Sequence, residues 1–220
     1  MLTREQVRSF YNRFGAKQDW QRFYEGPAIC DLLAHGSFQN ARAIFELGCG
    51  TGALAESLLS RYLSKKSTYL CFDLSSTMVS LAKDRLHKYG PRAEVRLTDG
   101  SLKLPLPDSQ FDRFISNYVL DLLPPEDIEV VMQEAHRVLV PQGRLCLISL
   151  THGFSILSRA VVWLWRRVFA FRPVLVGGCR PLMLLDFISE KTWEVVHHSS
   201  VVALGIPSEV LVACKLPPLP

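Results

Sequence analysis

One short stretch, AIFELGCGTGAL at residues 43–54, limits the fold more than any other part of the chain. Its first five residues, four apolar and one acidic, read as a short buried strand. Gly48, Gly50 and Gly52 follow at every second position, and a helical pattern starts at Ala53. Glycines this dense at a strand-to-helix junction let the backbone come close to a ligand.

The same unit recurs down to residue 150. TYLCFDL is a second strand ending near Asp73, and Ser75 or Ser76 can cap the helix that runs to about 88. AEVRL is a third strand, followed by Asp99-Gly100, and FDRFISNYVL is a fourth. A helix over 125–139 begins with acids that complement its dipole. A turn at Pro141 and Gly143 leads into RLCLISL, the fifth strand. Alternation of this kind builds a parallel sheet with helices on both faces, and ligands bind at the carboxyl ends of its strands. Ahead of it, residues 3–14 read as a helix with Thr3 as N-cap and Gln6 completing a capping box. A second helix spans about 18–35, and the aromatic residues of this region pack both helices onto the main domain or line a site mouth.

Two hundred and twenty residues, 48% hydrophobic and 21% charged, suit one α/β domain with a large core. A net charge of +4 does not point to nucleic acid. The six cysteines include no CxxC pair, so no metal or redox site is expected, and the set suits a reducing compartment. The polar first ten residues, MLTREQVRSF, hold no apolar signal region, so the expected location is cytoplasmic. The only low-complexity segment is the tail LPPLP.

After residue 150 the composition shifts. No acid occurs from Ala135 to Leu185, whereas seven arginines do. FSILSRAVVWLWRRVFAF is strongly apolar, but its arginines argue against a membrane span. As a helix it sets Arg159 and Arg166 on one face, opposite Leu157, Val161, Leu164 and Val168. WEVVHHSSVVAL and PSEVLVACKL read as two more strands around a turn at Gly205-Ile206-Pro207. His197 and His198 alternate there, so at most one faces inward.

The glycine turn alone also matches a dinucleotide pattern, Gly48-x-Gly50-x-x-Ala53, with Asp73 placed to hold a ribose. Three features favour another ligand. Glu46 lies directly before the glycines, where a carboxylate repels a pyrophosphate and attracts a cation. The turn has no Lys or Arg to neutralise phosphates, and a further acid, Asp99, follows the third strand. A ligand among Glu46, Asp73 and Asp99 is cationic, with hydroxyls and an amino group.

ELGCGTG, Asp73, TDGSLKLPLPDSQFD and EAHRVLVPQGRLCLIS, in this order and spacing, resemble the class I S-adenosylmethionine-dependent methyltransferases. The resemblance covers about residues 40–150 and is closest to the methyltransferase-11 type, which includes the ubiquinone/menaquinone C-methyltransferases. FYNRFG also looks like the leader of that group. The resemblance implies a Rossmann-like α/β fold with a seven-stranded, mostly parallel sheet and helices on both faces. A single domain, 1–220, is then divided into a helical leader (1–40), a cofactor-binding core (41–150), a helical cap after the fifth strand (151–190) and a C-terminal strand pair (191–220).

It also implies S-adenosyl-L-methionine as cofactor and S-adenosyl-L-homocysteine as product. Gly48, Cys49, Gly50 and Gly52 bring backbone to the methionine part, with Glu46 orienting the loop. Asp73 accepts both ribose hydroxyls, Leu74 packs on the adenine, and Asp99 accepts its amino group beside Gly100. Asn117 bonds the amino-acid end through its backbone, and Tyr11 closes over the cofactor. Two departures stand out: Pro141-Gln142-Gly143 replaces a Pro-Gly-Gly turn, and Asp121 stands where the family often has His. Competing roles are a helix N-cap for Asp73, a turn residue for Asp99, and plain packing for Asn117 and Tyr118.

A sulfonium methyl is already activated, so alignment and exclusion of water dominate the expected chemistry. Base candidates are His152, Asp121 and Tyr118, near strand carboxyl ends. The apolar, arginine-rich cap suggests a small hydrophobic or anionic acceptor and no nucleic acid. Residues 153–171 offer a peripheral membrane contact, and a homodimer interface is the other use of this segment. Alternatives are a non-catalytic cofactor-binding partner subunit and, more weakly, an NAD(P)-dependent oxidoreductase.

Overall fold

In the computed structural model, which describes residues 1–217, seven strands form one sheet in the order β3-β2-β1-β4-β5-β7-β6. The last three residues of the LPPLP tail lie outside the described residues. The strands are β1 (Ala43–Leu47), β2 (Thr68–Asp73), β3 (Ala93–Leu97), β4 (Phe111–Asn117), β5 (Leu139–Leu150), β6 (Trp193–Ala203) and β7 (Ile206–Lys215). The first five run parallel, and β7 pairs antiparallel with both β5 and β6. Strand order reverses between β1 and β4, which opens a crevice at their carboxyl ends.

Helices α2 (Arg22–His35), α3 (Ala53–Arg61) and α4 (Ser76–Leu86) cover one face, with Leu32, Leu58 and Ala82 buried against Ile44, Tyr69 and Ile115. Helix α5 (Pro125–Val138) covers the other, setting Ile128, Val131 and Ala135 against Phe45, Phe114 and Leu145. The inner strands β1 and β2 are largely apolar because both of their faces are buried, whereas the edge strand β3 exposes Glu94 and Arg96.

The leader helix α1 (Arg4–Phe14) has the expected capping box: Thr3 Oγ1 accepts from Gln6 N, and Gln6 Oε1 accepts from Thr3 N. The second helix starts later than expected, at Arg22. A 3-10 coil, Gly15–Gln21, precedes it and crosses the glycine turn. Strand β5 starts earlier, at Leu139, so the Pro141-Gly143 turn becomes a kink within it, with Gln142 at φ +64°. The last hairpin turns at Leu204-Gly205, leaving Ile206 and Pro207 in β7.

Helix α6 (Ile156–Phe171) departs most from expectation. It buries Ser158 and Val162 and half-buries Trp165, whose Nε1 donates to Cys179 O at 2.9 Å. That face lies about a quarter-turn from the expected apolar stripe, so Leu157 and Leu164 face outward. The helix packs on β7 and on the 3-10 turn Pro173–Val176, beside the sheet and not over the crevice.

Gly52, at φ +76°, caps the start of α3 against α4: an added Cβ would lie 3.1–3.2 Å from Ala82. A left-handed non-glycine residue costs roughly 1–2 kcal/mol. Gly52→Ala is expected to lower unfolding free energy by about 1–3 kcal/mol, with the close contact to Ala82 adding to the backbone term. Urea denaturation checks this.

Candidate active site

The crevice holds a cavity of about 330 Å³. Its floor is the turn after β1, where Gly48 (φ +76°) and Gly50 (φ +53°) take conformations that L side chains rarely adopt. Two anchors on β2 fix this turn. Phe72 O accepts from Gly48 N at 2.8 Å and from Cys49 N at 3.2 Å. Asp73 Oδ2 accepts from Gly50 N at 2.8 Å, while Oδ1 accepts from Ser75 N at 2.8 Å. The cap of α4 is Ser75, whose hydroxyl accepts from Met78 N, so the competing N-cap role of Asp73 is not the one it takes. Burial raises the Asp73 carboxyl above its ordinary value, against the pull of the Ser75 and Gly50 N–H groups.

Leu74, Thr98, Gly100, Asn117 and Tyr118 complete the inner wall, and Tyr11 reaches in from α1. Behind the turn lies a smaller space of about 80 Å³, bordered by Glu46, Cys49, Asn117, Tyr118 and Tyr11. Glu46 is buried and accepts from Tyr69 Oη at 2.8 Å. Burial pushes its carboxyl up to about 7, with nearby Asp73 adding to the rise. The buried acceptors Asn117 Oδ1 and Gln18 Oε1, both on the walls of the two spaces, have no hydrogen-bond partner among the described residues. Two carboxylates and two unpaired carbonyl oxygens around a glycine turn fit a ligand with a positive centre, an ammonium group and hydroxyls.

Comparison with known proteins agrees with that chemistry. Residues 44–143 match the model of the family described as "Methyltransferase domain". Over this stretch the chain is similar to the class I S-adenosylmethionine-dependent methyltransferases. The 2-phytyl-1,4-naphtoquinone methyltransferase of Synechococcus elongatus is 32% identical over 117 residues, 53% of this chain and 49% of its own. The tRNA N(3)-methylcytidine methyltransferase Mettl2 of Drosophila melanogaster is 28% identical over 144 residues, 62% of this chain and 44% of its own. The chain thus spans about half the length of the curated relatives it matches. An O-methyltransferase family protein from Burkholderia thailandensis shares the fold, with a TM-score of 0.68 at 17% identity over 88% of this chain and 56% of that one.

In the methyltransferase domain S-adenosylmethionine is the cofactor, and the residues around the crevice fit it. Gly48, Gly50, Asp73, Leu74, Gly100, Asn117, Tyr11, Glu46 and Cys49 all border one or both spaces. Four expected site residues do not. Gly52 serves the α3–α4 contact described above. Asp99 is exposed and its Oδ1 accepts from Ser101 N at 2.7 Å, so it holds the turn while Thr98 and Gly100 face the cavity. Asp121, in the 3-10 turn Leu120–Leu122, is fully buried beside Arg180 and Cys179, and burial pushes its carboxyl up to about 7. His152 follows β5 but lies away from both spaces. Of the three base candidates, only Tyr118 borders the cavity; its φ is +53° and its hydroxyl lies 2.6 Å from Ser208 Oγ. Desolvation raises the Tyr118 phenol well above its ordinary value, so it is a neutral hydrogen-bonding group near pH 7.

Sequence reasoning missed the latch above the glycine turn. Gln18 lies directly over Gly50, where an added Cβ would meet its amide at 2.3 Å. Thr51 Oγ1 donates to Asp19 at 2.6 Å, and Arg85 of α4 donates to both Asp19 (2.6 Å) and Thr51 (2.8 Å). Asn12 Oδ1 accepts from Ser75 Oγ at 2.7 Å and ties α1 to α4. These contacts join residues 32–66 positions apart, so no local pattern announces them.

At the far edge, Asp31 and His35 of α2 meet His197 of β6. The two rings stack at 3.5 Å with planes 5° apart, so no single ion can lie in both ring planes. Asp31 Oδ2 instead bonds His197 Nε2 at 2.8 Å and Ser199 Oγ at 2.5 Å, which pins α2 to the sheet edge. His198, on the opposite face of the strand, bonds Glu209 at 2.8 Å.

The raised carboxyls at Glu46 and Asp121 set a pH dependence. Between their unfolded values near 4 and folded values of about 7, the native state holds protons that the unfolded chain releases. Stability therefore falls as pH rises through this window. Glu46→Gln is expected to flatten the fall and to stabilise the ligand-free protein at pH 8 by roughly 1–3 kcal/mol. Denaturation midpoints from pH 5 to 8 check it.

Proposed function

We propose that the protein transfers the methyl group of S-adenosylmethionine to a small hydrophobic molecule. The observation that carries this reading is the joint anchoring of the glycine turn by Phe72 O and Asp73 Oδ2. It sets a carboxylate and the two glycine backbone positions beside the unpaired Asn117 Oδ1 on one cavity wall.

The bound cofactor supplies an electrophilic methyl on a sulfonium and leaves as a neutral thioether. Asp73 has lone pairs left for the ribose hydroxyls after accepting two N–H groups. Leu74 offers the adenine an apolar surface. Asn117 and Gln18 offer acceptors to the ammonium group, and Glu46 favours the cation across the turn. Tyr118 presents a neutral hydroxyl that can orient an acceptor without taking a proton. An activated methyl requires alignment more than a base, so the absence of Asp121 and His152 from the cavity lining does not weigh against transfer.

The apolar part of the wall, Leu2, Val7, Leu122 and Leu123, supports a hydrophobic acceptor. The quinone-directed activity named for the Synechococcus relative agrees with it. The tRNA-directed activity named for the Drosophila relative is the competing substrate class. The exposed arginines of α6 are interleaved with large apolar residues, which disfavours a nucleic-acid surface. Segment 153–183 is not a lid over the acceptor in this arrangement: of its residues only Cys179 borders either space.

Calorimetric titration with S-adenosylmethionine, S-adenosylhomocysteine and NADH tests the cofactor. The first two are expected to bind. Asp73→Ala is expected to weaken them by roughly tenfold or more, since hydrogen bonds to a charged group contribute about 1.5–3 kcal/mol each. Binding of NADH alone would overturn the reading. With an acceptor found by screening quinols and phenols, Tyr118→Phe is expected to raise KM severalfold with cofactor affinity unchanged. Turnover on tRNA but on no small molecule would replace the acceptor class.

A further inference from the structure

We propose that the outer face of α6, with the turn after it, docks onto an anionic lipid bilayer. This goes beyond the methyl-transfer reading and stands without it.

The face is made of large apolar side chains that the described residues leave mostly exposed. Ile156 is 91% exposed and Phe171 81%, and Phe154, Leu157, Trp163 and Leu164 are each more than half exposed. The burial of Ser158 and Val162 fixes the rotation of the helix, so these apolar residues point outward as a consequence of its packing on β7. The pattern is not that of a core helix that has turned away from its partner: its inner face is filled, and Ser155 and Ser158 form a capping box at its start.

Charge identifies the occupant. Arg159, Arg166, Arg167 and Arg172 are all exposed along the same segment. Arg159 and Arg166 flank the apolar stripe on one side, Arg172 ends it, and the Arg167 guanidinium sits 5.3 Å from the Trp163 ring centroid. No acid is present from Ala135 to Leu185 to balance them. A second copy of this face would bring arginines against arginines with no carboxylate to pair them. RNA would meet aliphatic side chains in the centre of the contact. An interface of anionic headgroups over acyl chains satisfies both halves: arginines at the phosphates, tryptophan at the boundary and aliphatics below.

The geometry is that of a helix lying in the membrane plane. Sixteen residues extend about 24 Å, short of the roughly 30 Å hydrocarbon thickness. No helix among the described residues is long and apolar enough to cross a membrane. The face also leads towards the cavity. Through Pro173–Val176 it continues to Gly177 and Gly178, which rest on Phe10 and Leu2 of the leader segment, and Leu2 borders the cavity. Docking would therefore set the leader side of the cavity towards the lipid.

The test is co-sedimentation of the full chain with vesicles of phosphatidylcholine mixed with phosphatidylglycerol, and with phosphatidylcholine alone. Binding to the mixed vesicles is expected, stronger than to the neutral ones and weakened by salt. Arg159→Gln and Arg166→Gln are each expected to reduce partitioning about fivefold, the equivalent of about 1 kcal/mol per basic residue at an anionic surface. Ile156→Glu with Leu164→Glu is expected to reduce it at least tenfold, with the circular dichroism of the fold and cofactor affinity retained. Absence of binding to both vesicle types overturns the proposal, as does binding that these variants leave unchanged. Equal binding to neutral vesicles overturns the anionic assignment. A dimer in sedimentation equilibrium that the Glu variant dissociates assigns the face to a second copy instead.

Discussion

The Asp73 carboxylate holds two backbone N–H groups at once, Gly50 on one oxygen and Ser75 on the other. Through the first it sets the glycine turn at the end of β1, and through the second it sets the start of α4. Neither group sits in a regular ladder, so each would otherwise be a buried donor in need of a partner. One side chain thus fixes the separation between two βα junctions, and the cavity is the space between them. The strain of the turn is tolerable only because glycine occupies it and because Phe72 O and Asp73 hold it in place.

Burial of negative charge is the second constraint on this crevice. Glu46 and Asp73 both lie where desolvation penalises the ionised form, and the Asp73 charge adds to the cost at Glu46. A site built this way is less comfortable without a cation than with one. The tension between stability and binding is local to the turn, because the sheet on either side is packed from Phe45, Ile115 and Phe114.

Much of this was legible in the sequence because it is local. The glycine spacing, the Thr3 and Gln6 cap, the serine before α4 and the alternation of strand and helix each need only a few neighbouring residues to declare themselves. The latch of Gln18, Asp19 and Arg85 was not, since it depends on how far the 3-10 coil carries the chain before α2 begins. Asp99 was misplaced by one position: its short side chain bonds the next turn, and Thr98 and Gly100 take the wall. The rotation of α6 was hidden for another reason. With apolar residues on most of its circumference, its periodicity does not choose a face, and only the packing of Ser158 and Val162 on the body of the fold does so. Asp121 and His152 follow the same lesson: proximity to a strand's carboxyl end does not say which way a side chain turns.

The leader helix forms one wall of the cavity, yet none of its eleven residues is buried. Its ties are side-chain contacts: Asn12 to the start of α4, Tyr11 to Cys179, Phe10 against Gly177, and an exposed ion pair, Arg4 to Asp127 at 3.2 Å. Exposed pairs contribute about 0–1 kcal/mol, so the Arg4 pair adds little, and side-chain contacts hold this wall where backbone hydrogen bonds hold the glycine floor opposite. The door of the cavity and its floor therefore belong to different regimes of cooperativity. Release of α1 would open the cavity by breaking a few side-chain contacts, while the hydrogen bonds of the sheet and the glycine turn are left intact.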